Sequence, residues 1–102
     1  MPLLIVLILT PQSEMLDITG PLQAFHEARN LKDGTPAYRM VLASSHGGPI
    51  TTDTGIPLDT VPIAGLDPAK IHTLIAAGSD EALDALNDRH LIGWLKTHGP
   101  QI

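Results

Sequence analysis

The chain begins with an unbroken apolar run over residues 3–9, LLIVLIL, which Thr10 and Pro11 close. The run has the length of a β-strand, and a strand that is apolar at every position is covered on both faces. It therefore predicts a central strand of a parallel sheet, with helices packed above and below that sheet.

A helix is predicted after this strand. Thr19 can act as its N-cap and Pro21 suits its first turn. Apolar side chains recur on one side at helical spacing, at Leu22, Phe25 and Ala28. Asn30 and Gly34 indicate where the helix has ended, so the order so far is strand, turn, helix.

Two further strands and a hairpin are predicted in the middle of the chain. Residues 37–44, AYRMVLAS, form a strand with one apolar face, made by Tyr38, Met40 and Leu42. Residues 50–58, ITTDTGIPL, follow Gly47-Gly48-Pro49, and their polar, β-branched character with a turn at Gly55 indicates an exposed hairpin. Residues 71–78, IHTLIAAG, are a third buried strand.

Helical patterns close the chain. Ser79 or Asp80 can cap a helix over residues 81–86, EALDAL, and Asp88 can cap one over residues 89–98. The apolar stripe of the second helix is Leu91, Trp94 and Leu95, and Gly99 is its stop signal. Strands that alternate with helices predict an α/β fold with a mostly parallel, doubly wound sheet.

Composition and charge limit the classes of function. The chain has 102 residues and is 43% apolar, which fits one small domain. Its formal net charge is −5 and its six basic residues are scattered, so we expect this segment not to contact nucleic acid directly. It has no cysteine, which excludes disulfides, thiolate metal ligands and a cysteine nucleophile within these residues.

The apolar run at the start is not typical of a targeting segment. No Lys or Arg precedes it, Thr10-Pro11-Gln12 is a poor cleavage site, and the run is too short to span a bilayer. We therefore expect a cytoplasmic protein with no membrane partner. No linker or repeat divides the chain.

Candidate site residues lie where predicted strands end, because reactive groups in open parallel sheets gather at the carboxyl ends of the strands. Asp17 stands between apolar Leu16 and Ile18, which predicts a partly desolvated acid. Gly78 lets the backbone approach a ligand closely, and amides after it can hold an anion. The alternatives are structural: Asp17 as a helix cap and Gly78-Ser79-Asp80 as an ordinary turn.

Metal and nucleotide sites are not indicated. The five histidines form no HxxxH or HExxH pair, and no cysteine is present to join them, so we expect no zinc site. Gly47 and Gly48 precede a proline rather than a helix, which argues against a phosphate-binding loop. No cofactor is predicted.

Three short motifs carry a family resemblance. LDITGP at 16–21 follows the first strand and opens the helix, GGPI at 47–50 follows the second strand, and AAGS at 76–79 ends the third strand. The chain resembles the amino-terminal half of a ThiJ/PfpI, or class I glutamine amidotransferase-like, domain, as found in the sensor domain of AraC-type transcriptional regulators. Ser79 departs from the family pattern, which has a second glycine there.

The resemblance implies a fold and a site. The fold is a flavodoxin-like three-layer α/β/α domain with a mostly parallel sheet, of which residues 1–102 are the first half. The nucleophile elbow is expected after Ile102, and the elbow and any DNA-binding domain are absent from this chain. The implied ligand-binding residues are Asp17, Gly20, Gly78 and Ser79, with no metal.

The resemblance leaves two functions open. The first is a ligand-sensing and oligomerisation module of an AraC-type regulator, non-catalytic as it stands, that binds an unidentified small molecule. The alternative is the first half of an isonitrile hydratase-like or amidase-like enzyme, in which Asp17 is catalytic and the cysteine lies elsewhere. A buried sheet with an open edge also predicts a homo-oligomer. An unrelated interaction domain is a third hypothesis.

Overall fold

The computed structural model describes residues 2–79 and 87–102, and a five-stranded sheet forms its centre. The strands are β1 (Leu3–Ile8), β2 (Tyr38–Ser44), β3 (Gly48–Thr51), β4 (Pro57–Pro62) and β5 (Thr73–Ala76). The described helices are α1 (Met15–Glu27) and α2 (Arg89–His98). Short 3₁₀ turns lie at Ile63–Gly65, Pro68–Lys70 and Gly99–Gln101.

The sheet is mostly parallel, as predicted. Its order is β3-β4-β2-β1-β5, with β1 parallel to both β2 and β5. Leu3 is aligned with Tyr38 on one side of β1, and Ile5 with Thr73 on the other. Among the described strands, β3 alone runs antiparallel to its neighbour, β4. The predicted α/β class with a mostly parallel sheet is confirmed.

Strand β1 is buried on both faces, which explains its unbroken apolar sequence. Alternate side chains pack against α1 on one face, in a cluster of Ile5, Leu7, Leu9 and Ile18 with Phe25, Tyr38, Met40 and Leu42. The others pack on the opposite face with α2, in a cluster of Leu4, Val6, Ile8, Ala43, Ile63, Ile71, Leu91 and Trp94. Burial of each large side chain contributes about 1.5–3 kcal/mol, so β1 anchors both layers.

Helix α1 begins earlier than the sequence predicts. Thr19 is not the N-cap: its hydroxyl donates to the Met15 carbonyl at 3.1 Å from within the helix. Pro21 also lies inside the helix rather than in its first turn, and it has no N–H to donate to the carbonyl of Asp17, four residues earlier. The helix starts at Met15 because a distant residue, Asp53, accepts the Met15 amide.

Helix α2 begins and ends as predicted. Asp88 Oδ1 accepts the Leu91 amide at 3.0 Å, and Gly99 occupies the C-cap position. The helix predicted over residues 81–86, and its cap Asp80, lie outside the described residues. Neither described helix has the length and apolar content that a bilayer-spanning helix needs.

The predicted hairpin is part of the sheet. Strands β3 and β4 pair antiparallel around a turn at Gly55, which has a φ of 84°. Strand β4 also continues the sheet beyond β2, with Ala43 aligned to Val61. The hairpin is therefore attached to the core on one side, and its tip turns towards the start of α1.

Candidate functional site

The loop from Thr10 to Glu14 joins β1 to α1 and is held together by Ser13. This side chain is fully buried, and its hydroxyl donates to the Thr10 carbonyl at 2.7 Å while accepting the Thr10 amide at 2.9 Å. Gln12 has a positive φ of 65°, which turns the chain sharply. The loop is thus a fixed platform for the first turn of α1.

The hairpin holds this loop from one side. The Gln12 amide donates to the Thr51 carbonyl at 2.9 Å, and the Asp53 amide donates to the Ser13 carbonyl at 3.0 Å. The Asp53 carboxylate then accepts the Met15 amide at 2.9 Å. This cap satisfies a helix-terminal N–H that has no partner within the helix. Asp53 therefore fixes where α1 starts.

The segment after β5 holds the loop from the other side. The Glu14 amide donates to the Gly78 carbonyl at 2.7 Å, and Ser13 forms an antiparallel bridge with Ser79. The Ser79 hydroxyl lies 3.2 Å from the carbonyls of both Pro11 and Gln12. The Ser79 side chain is thus part of the framework of the site.

Asp17 and Gly78 are in direct contact. A β-carbon on Gly78 would lie 2.5 Å from Asp17 Oδ2, so the absence of a side chain at residue 78 makes room for the carboxylate. The sequence predicts that Gly78 lets the backbone approach a ligand closely; in the structure the group beside Gly78 is the Asp17 carboxylate. Asp17 lies in the first turn of α1, and the partial positive charge at the N-terminal end of a helix attracts a negatively charged side chain.

The environment of Asp17 differs from the desolvated one expected. Asp17 is exposed, and Leu16 beside it is 78% exposed. Only Ile18 of the three is buried, because successive helical residues point about 100° apart and one of them reaches the sheet. The carboxylate is therefore open to solvent and to a solute.

Gly20 stands apart from the other three predicted ligand-binding residues. It is exposed in the middle of α1, and a β-carbon there would meet nothing within 4 Å. The structure thus brings Asp17, Gly78 and Ser79 to one place and leaves Gly20 outside their contacts.

These residues lie at the switch point of the sheet. The chain leaves β1 through α1 to β2 on one side, and it returns on the opposite face, through residues 63–71, to β5 on the other side. Connections that diverge in this way open a crevice at the carboxyl ends of the two strands, where open α/β sheets bind ligands. Asp17 follows β1 and Gly78 follows β5, so both lie where this rule places a ligand-binding crevice.

A second cavity, of about 180 Å³, lies beyond the carboxyl ends of β1 and β2. Asp88 lines it, and the Ser45 hydroxyl donates to Asp88 Oδ1 at 3.0 Å. His46 also lines it and stacks on His90, with ring centroids 4.7 Å apart and an interplanar angle of 18°. The sequence identified Asp88 as a cap but gave no signal for this histidine pair, which only the packing of α2 brings together.

The described site has groups that can bind a ligand. It offers a solvent-open carboxylate that accepts hydrogen bonds and a glycine backbone beside it. Among residues 2–79 and 87–102, no three His, Asp or Glu side chains are grouped so that they could hold a metal ion. The chain has no cysteine to serve as a nucleophile.

Comparisons with known proteins support the fold. No family profile matches the chain, and no curated protein matches it. Solved structures do match, among them the crystal structure of an AraC family transcriptional regulator from Pseudomonas putida. That match has a TM-score of 0.58 and 19% sequence identity, and it covers 90% of this chain and 61% of the regulator chain. The chain therefore has the fold of a large part of that regulator.

Proposed function

We propose that this chain is a ligand-sensing module of an AraC-type transcriptional regulator. The observation that carries the proposal is the contact between Asp17 and Gly78 at the switch point of the sheet. The motifs around these two residues, LDITGP and AAGS, are those that resemble the sensor domains of such regulators. The structural likeness to an AraC family regulator supports the same assignment.

The site we propose for the ligand is the crevice bordered by Asp17 and Gly78, with Ser79 as a framework residue. A carboxylate recognises N–H and O–H donors, so the small molecule presents at least one such donor to Asp17. The loop and α1 are held by hydrogen bonds to the segment after β5 and to the hairpin, so a ligand that binds beside Asp17 and Gly78 acts on both attachments.

The proposed module senses but does not itself contact DNA. Its net charge of −5 repels phosphate, so DNA contact in the parent regulator belongs to another domain. We also propose that it works in the cytoplasm and self-associates. The support for self-association is the position of β5, which pairs only with β1 among the described strands.

The enzymatic alternative requires a nucleophile beside Asp17. The chain has no cysteine, and the comparisons give this alternative no support. We therefore do not assign Asp17 a catalytic role.

The test uses three strains that carry changes in the native gene: a deletion, Asp17→Asn and Asp59→Asn. Asp59 is exposed on β4, so its substitution removes the same charge away from the crevice. Transcripts are sequenced during growth on a set of carbon and nitrogen sources. We expect the deletion and Asp17→Asn to lose the same nutrient-dependent response, while Asp59→Asn keeps it.

The experiment tests the regulatory role and the role of Asp17 separately. If the transcripts of the deletion strain match those of the wild type on every nutrient, the regulatory role is wrong. If the deletion loses a response that Asp17→Asn retains in full, the regulatory role stands and Asp17 is not the sensing residue.

A further inference from the structure

A third cavity lies at the opposite end of the sheet from the Asp17 crevice. It has a volume of about 530 Å³ and is lined by Pro2, Leu4, Arg39 and Lys70. These residues belong to the amino ends of β1 and β2 and to the turn that precedes β5. The cavity therefore shares no residue with the crevice or with the cavity beside Asp88.

The register of the sheet places the two cations on either side of Leu4. Arg39 is aligned with Leu4 on β2, so both side chains are on the same face of the sheet. On the other side, the Leu4 carbonyl accepts the His72 amide at 2.9 Å, which brings the end of the Pro68–Lys70 turn alongside β1. The floor of the cavity is thus apolar and two of its walls are basic.

Neither cation is neutralised. Within the described residues, the Arg39 guanidinium and the Lys70 ammonium make no hydrogen bond and no ion pair, and no acid is among the residues that line the cavity. The chain as a whole has eleven acids and six bases. Two unpaired cations produce a local positive potential in a negatively charged protein.

We propose that this cavity binds an organic carboxylate with an apolar body. The carboxylate lies between the Arg39 guanidinium, which can donate two parallel hydrogen bonds, and the Lys70 ammonium. The apolar body covers Leu4 and Pro2. This site is separate from the proposed sensing crevice and does not depend on it.

The test is an NMR titration of the isotope-labelled full chain with sodium hexanoate at low ionic strength. We expect saturable shifts of the Leu4, Arg39 and Lys70 amides, and no shift at Asp17 or Gly78. Hexan-1-ol, which lacks the charge, and inorganic phosphate, which lacks the apolar body, should each bind at least about tenfold more weakly than hexanoate.

The matched variants remove equal charge from different places. The double substitution Arg39→Gln with Lys70→Gln is expected to weaken hexanoate binding by about tenfold or more, because both charge-assisted bonds are lost. The control is Arg89→Gln with Lys96→Gln on α2, where both residues are exposed and outside the cavity. It should leave binding unchanged.

Several results would overturn the site. Equal weakening by the control would mean that hexanoate responds only to net charge. Hexanol binding as tightly as hexanoate would remove the role of the cations, and phosphate binding as tightly would remove the role of the apolar floor. If the shifted amides do not include those of Leu4, Arg39 and Lys70, or if a folded chain shows no saturable shift, then the cavity does not bind the carboxylate.

Discussion

Gly47 and Gly48 have nearly the same backbone φ but different surroundings. Their φ values are 76° and 78°, in the left-handed region that disfavours other residues. A β-carbon on Gly48 would meet nothing within 4 Å, whereas one on Gly47 would lie 2.8 Å from the Pro62 backbone nitrogen. A substitution at Gly48 therefore measures the cost of the left-handed backbone alone, whereas one at Gly47 adds the cost of a steric clash.

We predict that Gly48→Ala lowers the free energy of unfolding by ~1–2 kcal/mol, the cost of the left-handed backbone alone. Gly47→Ala should cost a further ~1–3 kcal/mol, because β4 must move away from the new methyl group. Urea denaturation of the two variants measures both values. Equal losses of unfolding free energy would show that β4 moves away at Pro62 without measurable cost.

Asp33 provides a second test, on protonation. The Thr35 amide and, to a lesser extent, the Thr35 hydroxyl donate to its carboxylate and hold the pKa of Asp33 below its ordinary value of 3.8. The folded state therefore favours the ionised form. The resulting stabilisation is present above the unfolded-state pKa and disappears as the pH falls through the lower folded-state pKa.

We predict that Thr35→Val raises the pKa of Asp33 part of the way towards 3.8, because the hydroxyl is lost and the stronger amide donor remains. Carbon NMR titration of the Asp33 carboxyl group measures the change. An unaltered midpoint would mean that the hydroxyl contributes nothing to the shift.

Helix α1 depends on a residue far away in the sequence. Asp53 caps Met15 from 38 positions along the chain. We predict that Asp53→Ala lowers the free energy of unfolding by about 1 kcal/mol, and that Asp53→Asn, which keeps an acceptor oxygen, loses less. Thermal or urea denaturation measures both.

The control for this cap is Asp59→Ala, which removes the same carboxylate from an exposed position on the same hairpin. It should change the free energy of unfolding by less than about 0.5 kcal/mol. If Asp59→Ala costs as much as Asp53→Ala, the loss reflects the charge of the hairpin and not the cap.

The contrast between the two helices shows what the sequence could predict. The cap of α2 was found because Asp88 is adjacent to the residues it caps and its spacing is a local pattern. The predicted start of α1 was wrong because its cap, Asp53, comes from the hairpin, and the sequence around α1 contains no signal for a cap so far away. Pro21 then favoured a later start, since proline is commonest in the first turn.

Part of the site could also be predicted from the sequence. Topology alone places residues after β1 and β5 at one end of the sheet, so Asp17 and Gly78 could be paired before their contact was seen. The separation of Gly20 from these residues could not be predicted without the rotation of α1. The histidine pair was missed because it depends on how α2 packs beside the loop after β2.

The molecule as a whole should associate with itself. Large apolar side chains remain exposed, among them Leu16, Leu31 and Ile56, and β5 is an outer strand of the described sheet. We predict that the weight-average sedimentation coefficient rises with protein concentration. A constant value that corresponds to a monomer, up to high concentration, would contradict this prediction.

The position of β1 between β2 and β5 has a consequence for synthesis on the ribosome. Strand β1 is synthesised before β2 and can pair with it soon afterwards, but its other edge has no partner until β5, whose Thr73 aligns with Ile5, has been made. Contacts between such distant residues slow folding, and an apolar strand with one open edge is prone to aggregate meanwhile. The nascent chain therefore carries its most hydrophobic segment with one edge unpaired until β5 has been made, which makes that segment a natural binding site for chaperones.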